Sequence, residues 1–499
     1  MDVKFIKKFL QCLRPFYGQV HTQEQTQEVR LPDSYPDIGR VLGCWGQIFI
    51  RGKEWRSSSM SANGGVLAWV LYAPEDGSGM QVVDVWIPFQ CRWDFQEPAD
   101  DGTILLNPML TGLDARGISA RKIMVRAEMD TFAQAMRKEQ FDLVSPGEMP
   151  EDVQLLTSSY PMQLPVEAGE KQVQIEENLM IPGNIPQMYK LVGYSLTPSI
   201  MEQKVLGNRL VFRGEGSLDV LYLTENGELH KWQTEVPYSQ YTELDNDYEG
   251  TASAWVFPIL TAMEMSITEN NQLHIQAGIA AQYTIFDQKM VDVVEDAYSP
   301  FREITQKTEQ LPLPALLDMA TVDVFPEGIL QGDVSRVICA TAFAQQPTLR
   351  PNQDNMEIIL EEQYQCLYQD EEGNLQTESV CGQAAALLPT EQENIVYLWP
   401  GKIGMPELNS TGKETVASRY APVLAQVYSG KPLSQITELE IGEYREPHSD
   451  RPALILRRAG EDSLWELAKK CGSTVQAISD ANQLDGEAQI GQMLLIPIC

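Results

Sequence analysis

Histidine is scarce. The chain holds four in 499 residues, at 21, 230, 274 and 448. None stands in an HExxH or HxxxH frame, so paired-histidine metal sites have no ligands to draw on. Positive charge is also short, with 37 Lys+Arg against 70 Asp+Glu and a net charge of −33. Such a surface repels phosphate backbones and anionic headgroups, which argues against a nucleic-acid partner. The same acidity also serves simply to keep a large protein soluble. No apolar run reaches the roughly 18 residues of a spanning helix, so membrane insertion is not expected. The opening "MDVKFIKKFLQCLRPFYGQ" lacks a continuous apolar stretch and a cleavage site, so no signal peptide is expected.

Eight cysteines lie at 12, 44, 91, 339, 366, 381, 471 and 499, with no CxxC pair. That excludes zinc-ribbon and thioredoxin-type spacings. The reading is free, mostly buried thiols in a reducing compartment. Phosphate loops of the GxxxxGK[ST] or GxGxxG type and the GxSxG elbow are missing. Gly214-Glu215-Gly216 is a lone GxG, better read as a turn or bulge. Acidic pairs such as those in "DEEG" and "PADDG" follow from seventy acids and read as solvated turns. No catalytic residue, metal or cofactor is expected, and the chain is read as a non-enzyme.

What the sequence does have is repetition. "LPDSYPDIGRVLG" (31–43) is echoed by "IPGNIPQMYKLVG" (181–193), matching at Pro32/Pro182, Pro36/Pro186, Arg40/Lys190 and Gly43/Gly193. The offset of 150 holds at Tyr72/Tyr222 and Gly77/Gly227, slips to 149 where "WIPF" (86–89) meets "EVPY" (235–238), and returns at "RKIMVRAEM" and "NQLHIQAGI". A fainter third copy runs from "SRVIC" (335–339) to "CLYQDEEG" (366–373), pairing Arg336 and Tyr368 with Arg40 and Tyr72, and "VFPEGIL" stands in for the proline phrase. Three units are assigned, at 20–140, 170–305 and 315–430.

Each unit reads as β. Leu218, Val220 and Tyr222 share one face at a period of two, as do Tyr364, Cys366 and Tyr368. "VLAWVLY" is apolar on both faces, as in a strand covered on both sides. The acidic turns "APEDG", "TENG" and "DEEG" each close on a glycine able to adopt positive φ. The expected unit is a hairpin-centred antiparallel β-sandwich, with "SPGEMPEDVQLLTSSYPMQLPVEAGE" and "LPLPALLD" as linkers or flanking arms. Trp45, Trp55 and Trp93 are candidate interface anchors, with core packing the plainer reading.

The last fifty residues change period. A short strand at Ala453–Arg457 precedes Ser463 and a helical run of Leu464, Leu467, Ala468 and Cys471, stopped by Gly472. Ser473 or Thr474 caps a second helix with Val475, Ile478 and Ala481 on its apolar face. "QMLLIP" closes as a strand. Gly460, Asp462, Ser463, Leu464, Trp465, Leu467, Ala468, Gly472, Asn482, Gly491, Gln492, Leu494, Ile496 and Pro497 resemble the LysM domain, with Glu461 inserted. The resemblance implies a βααβ module at 452–499. It also implies a shallow groove between two loops, Gly460, Glu461, Asp462, Ser463 and Leu464 on one side and Gln483, Leu484, Asp485, Gln489 and Ile490 on the other. Such a groove binds peptidoglycan or another GlcNAc polymer, or a protein loop. The plainer reading makes Leu464 and Leu467 core and Trp465 its cover.

The upstream "IEENLMIP", the proline phrase, "LDVLYLTENG" and "EVPYSQY" resemble the SPOCS domain of spore-envelope proteins in spore-forming bacteria. That resemblance implies a scaffold at the forespore surface, in the mother-cell cytoplasm. Its implied partner is a spore-coat morphogenetic protein of the SpoIVA type. The fold expected is therefore mainly β, with three tandem SPOCS-type repeats followed by a small α+β LysM domain. The competing expectation is a GlcNAc-polymer-binding protein acting through the LysM groove.

Overall fold

A computed structural model of the chain describes residues 2–3, 5–248, 250–268, 272–332, 334–411, 414–444 and 452–498. It is mainly β, 71% strand and 3% helix, and the helix lies in a C-terminal module. None of the described helices is long and apolar enough to cross a membrane.

The first six strands are β1 (Ile6–Arg30), β2 (Ile38–Arg56), β3 (Ser59–Pro74), β4 (Gln81–Asp94), β5 (Thr103–Ser119) and β6 (Lys122–Ser145). They form two antiparallel sheets, β2-β3-β4 and β1-β6-β5. Both sheets feed one core. Val66, Ala68, Val70 and Tyr72 line it from the first sheet, and Ile123, Val125, Ala127 and Met129 from the second. All eight are spaced two apart and fully buried, the burial expected of one face of a strand.

The next strands are β7 (Gln154–Met180), β8 (Lys190–Leu223), β9 (Leu229–Tyr248), β10 (Ser253–Ile267) and β11 (Gln272–Tyr298). Here β7-β11-β10 has the order of β1-β6-β5. β8 doubles back at Gly207, whose φ is +62°, and the Tyr189 N–H donates to the Leu223 carbonyl at 2.8 Å across its two ends. β8 and β9 thus do the work of β2, β3 and β4. The stretch 154–170, expected as a linker or arm, is instead the first half of β7, paired with β11 along its whole length. Of its two prolines, Pro165 sits at a register shift, where a missing N–H costs no ladder bond, and Pro161 stands opposite Met290.

A third set follows: β12 (Leu316–Val322), β13 (Arg336–Ala344), β14 (Asn355–Gln369), β15 (Leu375–Leu388), β16 (Ile395–Pro400) and β17 (Val423–Tyr428). The orders β12-β17-β16 and β13-β14-β15 recur. β12 also abuts β7, so six strands run as one sheet, β10-β11-β7-β12-β17-β16. Short strands at 327–330, 407–411 and 414–418 extend the β13-β14-β15 sheet.

One hydrogen bond recurs in all three sets. Tyr72 O–H donates to the Pro36 carbonyl at 3.1 Å, Tyr222 to Pro186 at 3.0 Å and Tyr364 to Pro326 at 2.8 Å. The third member is Tyr364, not Tyr368, which the sequence spacing had matched to Tyr72. Tyr368 keeps the distance to the turn, five residues before Gly373, but its hydroxyl reaches Glu378 at 3.3 Å. The β14–β15 hairpin thus extends four residues beyond the tyrosine that meets the proline carbonyl. Gly77, Gly227 and Gly373 have φ of 70°, 78° and 82°, the left-handed backbone those turns demand.

Each set touches both others. The Arg40 guanidinium and Thr377 hydroxyl bond backbone carbonyls between the first and third, Arg40 to Leu375 and Thr377 to Leu42. Lys190 Nζ donates to Gln81 Oε1 at 3.1 Å between the second and first. Leu13, Phe132, Trp255, Phe286, Trp399 and Tyr428 then form a buried cluster drawn from all three. Of the tryptophans considered as surface anchors, Trp93 is core, and Trp55 is partly buried against that core, its indole N–H on the Ala99 carbonyl.

Candidate ligand-binding site

The C-terminal module comprises β18 (Leu454–Arg458), α1 (Leu464–Cys471), α2 (Val475–Asn482) and β19 (Met493–Pro497), with β18 antiparallel to β19. Ser463 caps α1: its Oγ accepts the Glu466 N–H at 3.2 Å, while Glu466 Oε2 accepts the Ser463 N–H at 3.0 Å. This reciprocal box satisfies two otherwise orphan donors. Gly472 ends α1 with φ of 67°. Thr474, not Ser473, caps α2 by accepting from the Ala477 N–H. Asn482 ends α2 with both halves of its amide engaged. Its Nδ2 donates to the Leu495 carbonyl at 2.6 Å, and its Oδ1 accepts the Leu495 N–H at 2.8 Å. Leu464, Leu467, Ala468, Ile478, Leu494 and Ile496 are the buried core, and Ala481, expected on the apolar face, is exposed.

The backbone flanking the two loops is joined. Ala459 and Gln492 are joined by a backbone bond of 2.8 Å, and the Gly491 N–H donates back to the Ala459 carbonyl. The expected site residues divide by what they already do. Ser463 is consumed by the cap. The Leu464 side chain is core, 4% exposed. Leu484 packs partly against that core. Gln483 holds the left-handed end of α2 at φ 53°. Asp462 is clamped by Lys470 Nζ at 2.6 Å and Arg457 Nη2 at 2.9 Å, and these cations hold its carboxyl below the usual range despite some desolvation. The Gln489 N–H donates to Gln492 Oε1. Gly460, Glu461, Asp485 and Ile490 present exposed surface, Ile490 at 78%.

One participant was missed in the sequence. Glu487 Oε2 accepts the Leu464 N–H at 2.9 Å, so a carboxylate from the second loop spans to the N-terminus of α1. A carboxylate there is favoured by unpaired N–H groups and the helix dipole. Its place inside the 483–490 loop was the available signal.

The module is seated on the β body. The Trp465 indole N–H donates to Asp296 Oδ2 at 2.8 Å, and Lys469 Nζ reaches both Asp296 oxygens at 2.7 Å. Tyr298 O–H donates to the Ser473 carbonyl at 3.0 Å. Its ring stands edge-on to Trp465 at 4.8 Å. Asp296 and Tyr298 end β11, so α1 rests on the tip of a strand from the second set.

Cys12, Cys44, Cys91, Cys339 and Cys366 are buried and free, Cys471 is partly buried and Cys381 is exposed. Burial pushes the Cys339 and Cys366 thiols up to about 12, far from the thiolate form. His230 contacts Glu228 and His274 contacts Asn178, while His448 lies outside the described residues. Among the described residues, no group of three or more His, Cys, Asp or Glu could hold a metal ion.

Residues 460–497 match the LysM domain family. No curated protein and no solved structure matches the chain. The LysM domain points to peptidoglycan or another GlcNAc polymer as partner. The match ends with the module. The SPOCS resemblance of the upstream strands, and the coat partner it implied, gain nothing from these comparisons.

Proposed function

We propose that the chain is a non-catalytic adaptor in which three related β units form a rigid body that presents a LysM groove to a GlcNAc polymer. One observation carries this reading. The module is held to the body through Trp465, Lys469 and Ser473, while the groove-edge residues Gly460, Glu461, Asp485 and Ile490 stay exposed. Docking fixes the orientation of the groove without covering it, as a presenting adaptor requires. The recurring strand order and the Tyr72, Tyr222 and Tyr364 bonds support reading the body as one sandwich-like unit written three times.

Cosedimentation of the full chain with purified peptidoglycan tests the reading. Enrichment is expected for the native chain and a loss of about ten-fold for Ile490→Glu, whose exposed side chain leaves the fold intact. Absence of enrichment for the native chain sinks it.

Glu487 favours a second reading. Its carboxylate already occupies the Leu464 N–H, a donor that a sugar acetamido oxygen would otherwise use. A groove closed in this way suits a protein partner. On that reading the chain is a spore-envelope scaffold at the forespore surface, contacting a coat morphogenetic protein. A fluorescent fusion that forms a ring around the forespore supports it; a vegetative wall signal speaks for the glycan reading.

A further inference from the structure

We propose that the β body holds a small-molecule site, separate from the LysM groove, that accepts a compact monocarboxylate with an apolar body. The proposal does not depend on what the LysM groove binds. The three units meet around a cavity of about 160 Å³. Trp45 comes from the first unit, Tyr194, Asp219 and Lys231 from the second, and Cys339 and Arg419 from the third. A cavity of about 150 Å³ is enough for a benzene ring, which sets the size of the ligand.

The charge of the wall sets its chemistry. The lining carries two cations, Lys231 and Arg419, and one carboxylate, Asp219, while the Glu362 carboxylate that pairs with Arg419 stands outside the lining. Asp219 lies 3.1 Å from Lys231 and also accepts Gln233 Nε2 at 2.6 Å, so it does not depend on Lys231 alone. Arg419 gives Nε and Nη2 to the enclosed Glu362 carboxylate. That pair leaves Nη1 outside it, and a guanidinium offers five N–H donors in all. An entering carboxylate finds the Lys231 ammonium and the Arg419 edge in a site of reduced dielectric, where charge-assisted bonds are strong. The rings of Trp45 and Tyr194 meet its apolar part. Asp219 repels a second carboxylate, so dicarboxylates are rejected.

Titration calorimetry on the full chain, with benzoate, benzyl alcohol and phthalate as probes, tests the site. Benzoate binds, and the other two bind at least about ten-fold more weakly. Lys231→Met loses benzoate by about the same factor while keeping the native melting temperature within a few degrees. Should that variant fail to fold, Thr341→Leu carries the same expectation, because Thr341 also lines the cavity. No benzoate heat at millimolar concentration, equal binding of benzoate and benzyl alcohol, or unaltered benzoate binding by the folded variant overturns the proposal.

Discussion

Trp465 and Asp296 are 169 residues apart and share a hydrogen bond of 2.8 Å. With Lys469 on the same carboxylate and Tyr298 against the indole ring, this pair decides where the LysM module sits. Asp296→Ala removes the acceptor for both donors. The expected outcome is a module that stays folded but swings free, seen as faster proteolysis before residue 452 and a larger radius in small-angle scattering. Unchanged cleavage would show that Tyr298 alone suffices.

The same carboxylate makes the dock insensitive to pH over a wide range. Burial pushes Asp296 up, but Lys469 and the Trp465 N–H outweigh it and hold the carboxyl below its ordinary 3.8. A group with a depressed folded pKa contributes its full stabilisation above the ordinary value and loses it as pH falls through the folded value. Trp465 fluorescence should therefore stay flat from about pH 8 to 5 and change only below about pH 4. A transition near neutrality would contradict this.

Glu487→Ala frees the Leu464 N–H. On the glycan reading, affinity for a GlcNAc oligomer rises several-fold, about 1 kcal/mol for one uncovered donor. Lower affinity would mean that the carboxylate shapes the groove more than it blocks it.

Tyr72→Phe, Tyr222→Phe and Tyr364→Phe each delete one O–H bond to a proline carbonyl and leave the buried ring. Each should cost about 1 kcal/mol in chemical denaturation. Tyr368→Phe serves as the contrast, since its hydroxyl makes a longer bond of 3.3 Å to the Glu378 side chain rather than to a proline carbonyl, and should cost less.

Glu362 and Arg419 form an ion pair with side chains 0% and 9% exposed. Glu362→Gln leaves a buried guanidinium without its counter-charge and should cost about 3–5 kcal/mol. The double substitution Glu362→Leu with Arg419→Met removes both charges and should recover most of that loss. A single-site cost below about 1 kcal/mol would show that water reaches the pair.

The LysM module was legible because its determinants are local. The Ser463 cap, the Gly472 stop and the Asn482 amide lie within a few residues of what they organise. The hairpin turns were legible for the same reason: Gly77, Gly227 and Gly373 answer to four or five neighbours. Period-two patterning also identified the buried faces of Leu218, Val220 and Tyr222. It could not assign Tyr364, because alternation marks a face and not which tyrosine on that face meets the proline. Glu487 was passed over as one more acid among seventy, since its role depends on a helix N-terminus 23 residues away.

The sequence by itself determined a β-rich chain with acidic glycine turns, a twice-written proline phrase and a capped two-helix module at its end. These follow from backbone sterics and from spacing along the chain. Only the tertiary structure decided that residues 154–170 extend a long strand, that three sets of strands close on one another, and that Asp296 receives Trp465. A strand's pattern specifies that one face must be buried. It leaves open which surface buries it, and contacts across more than a hundred residues are settled only when whole sheets find the partners that satisfy them together.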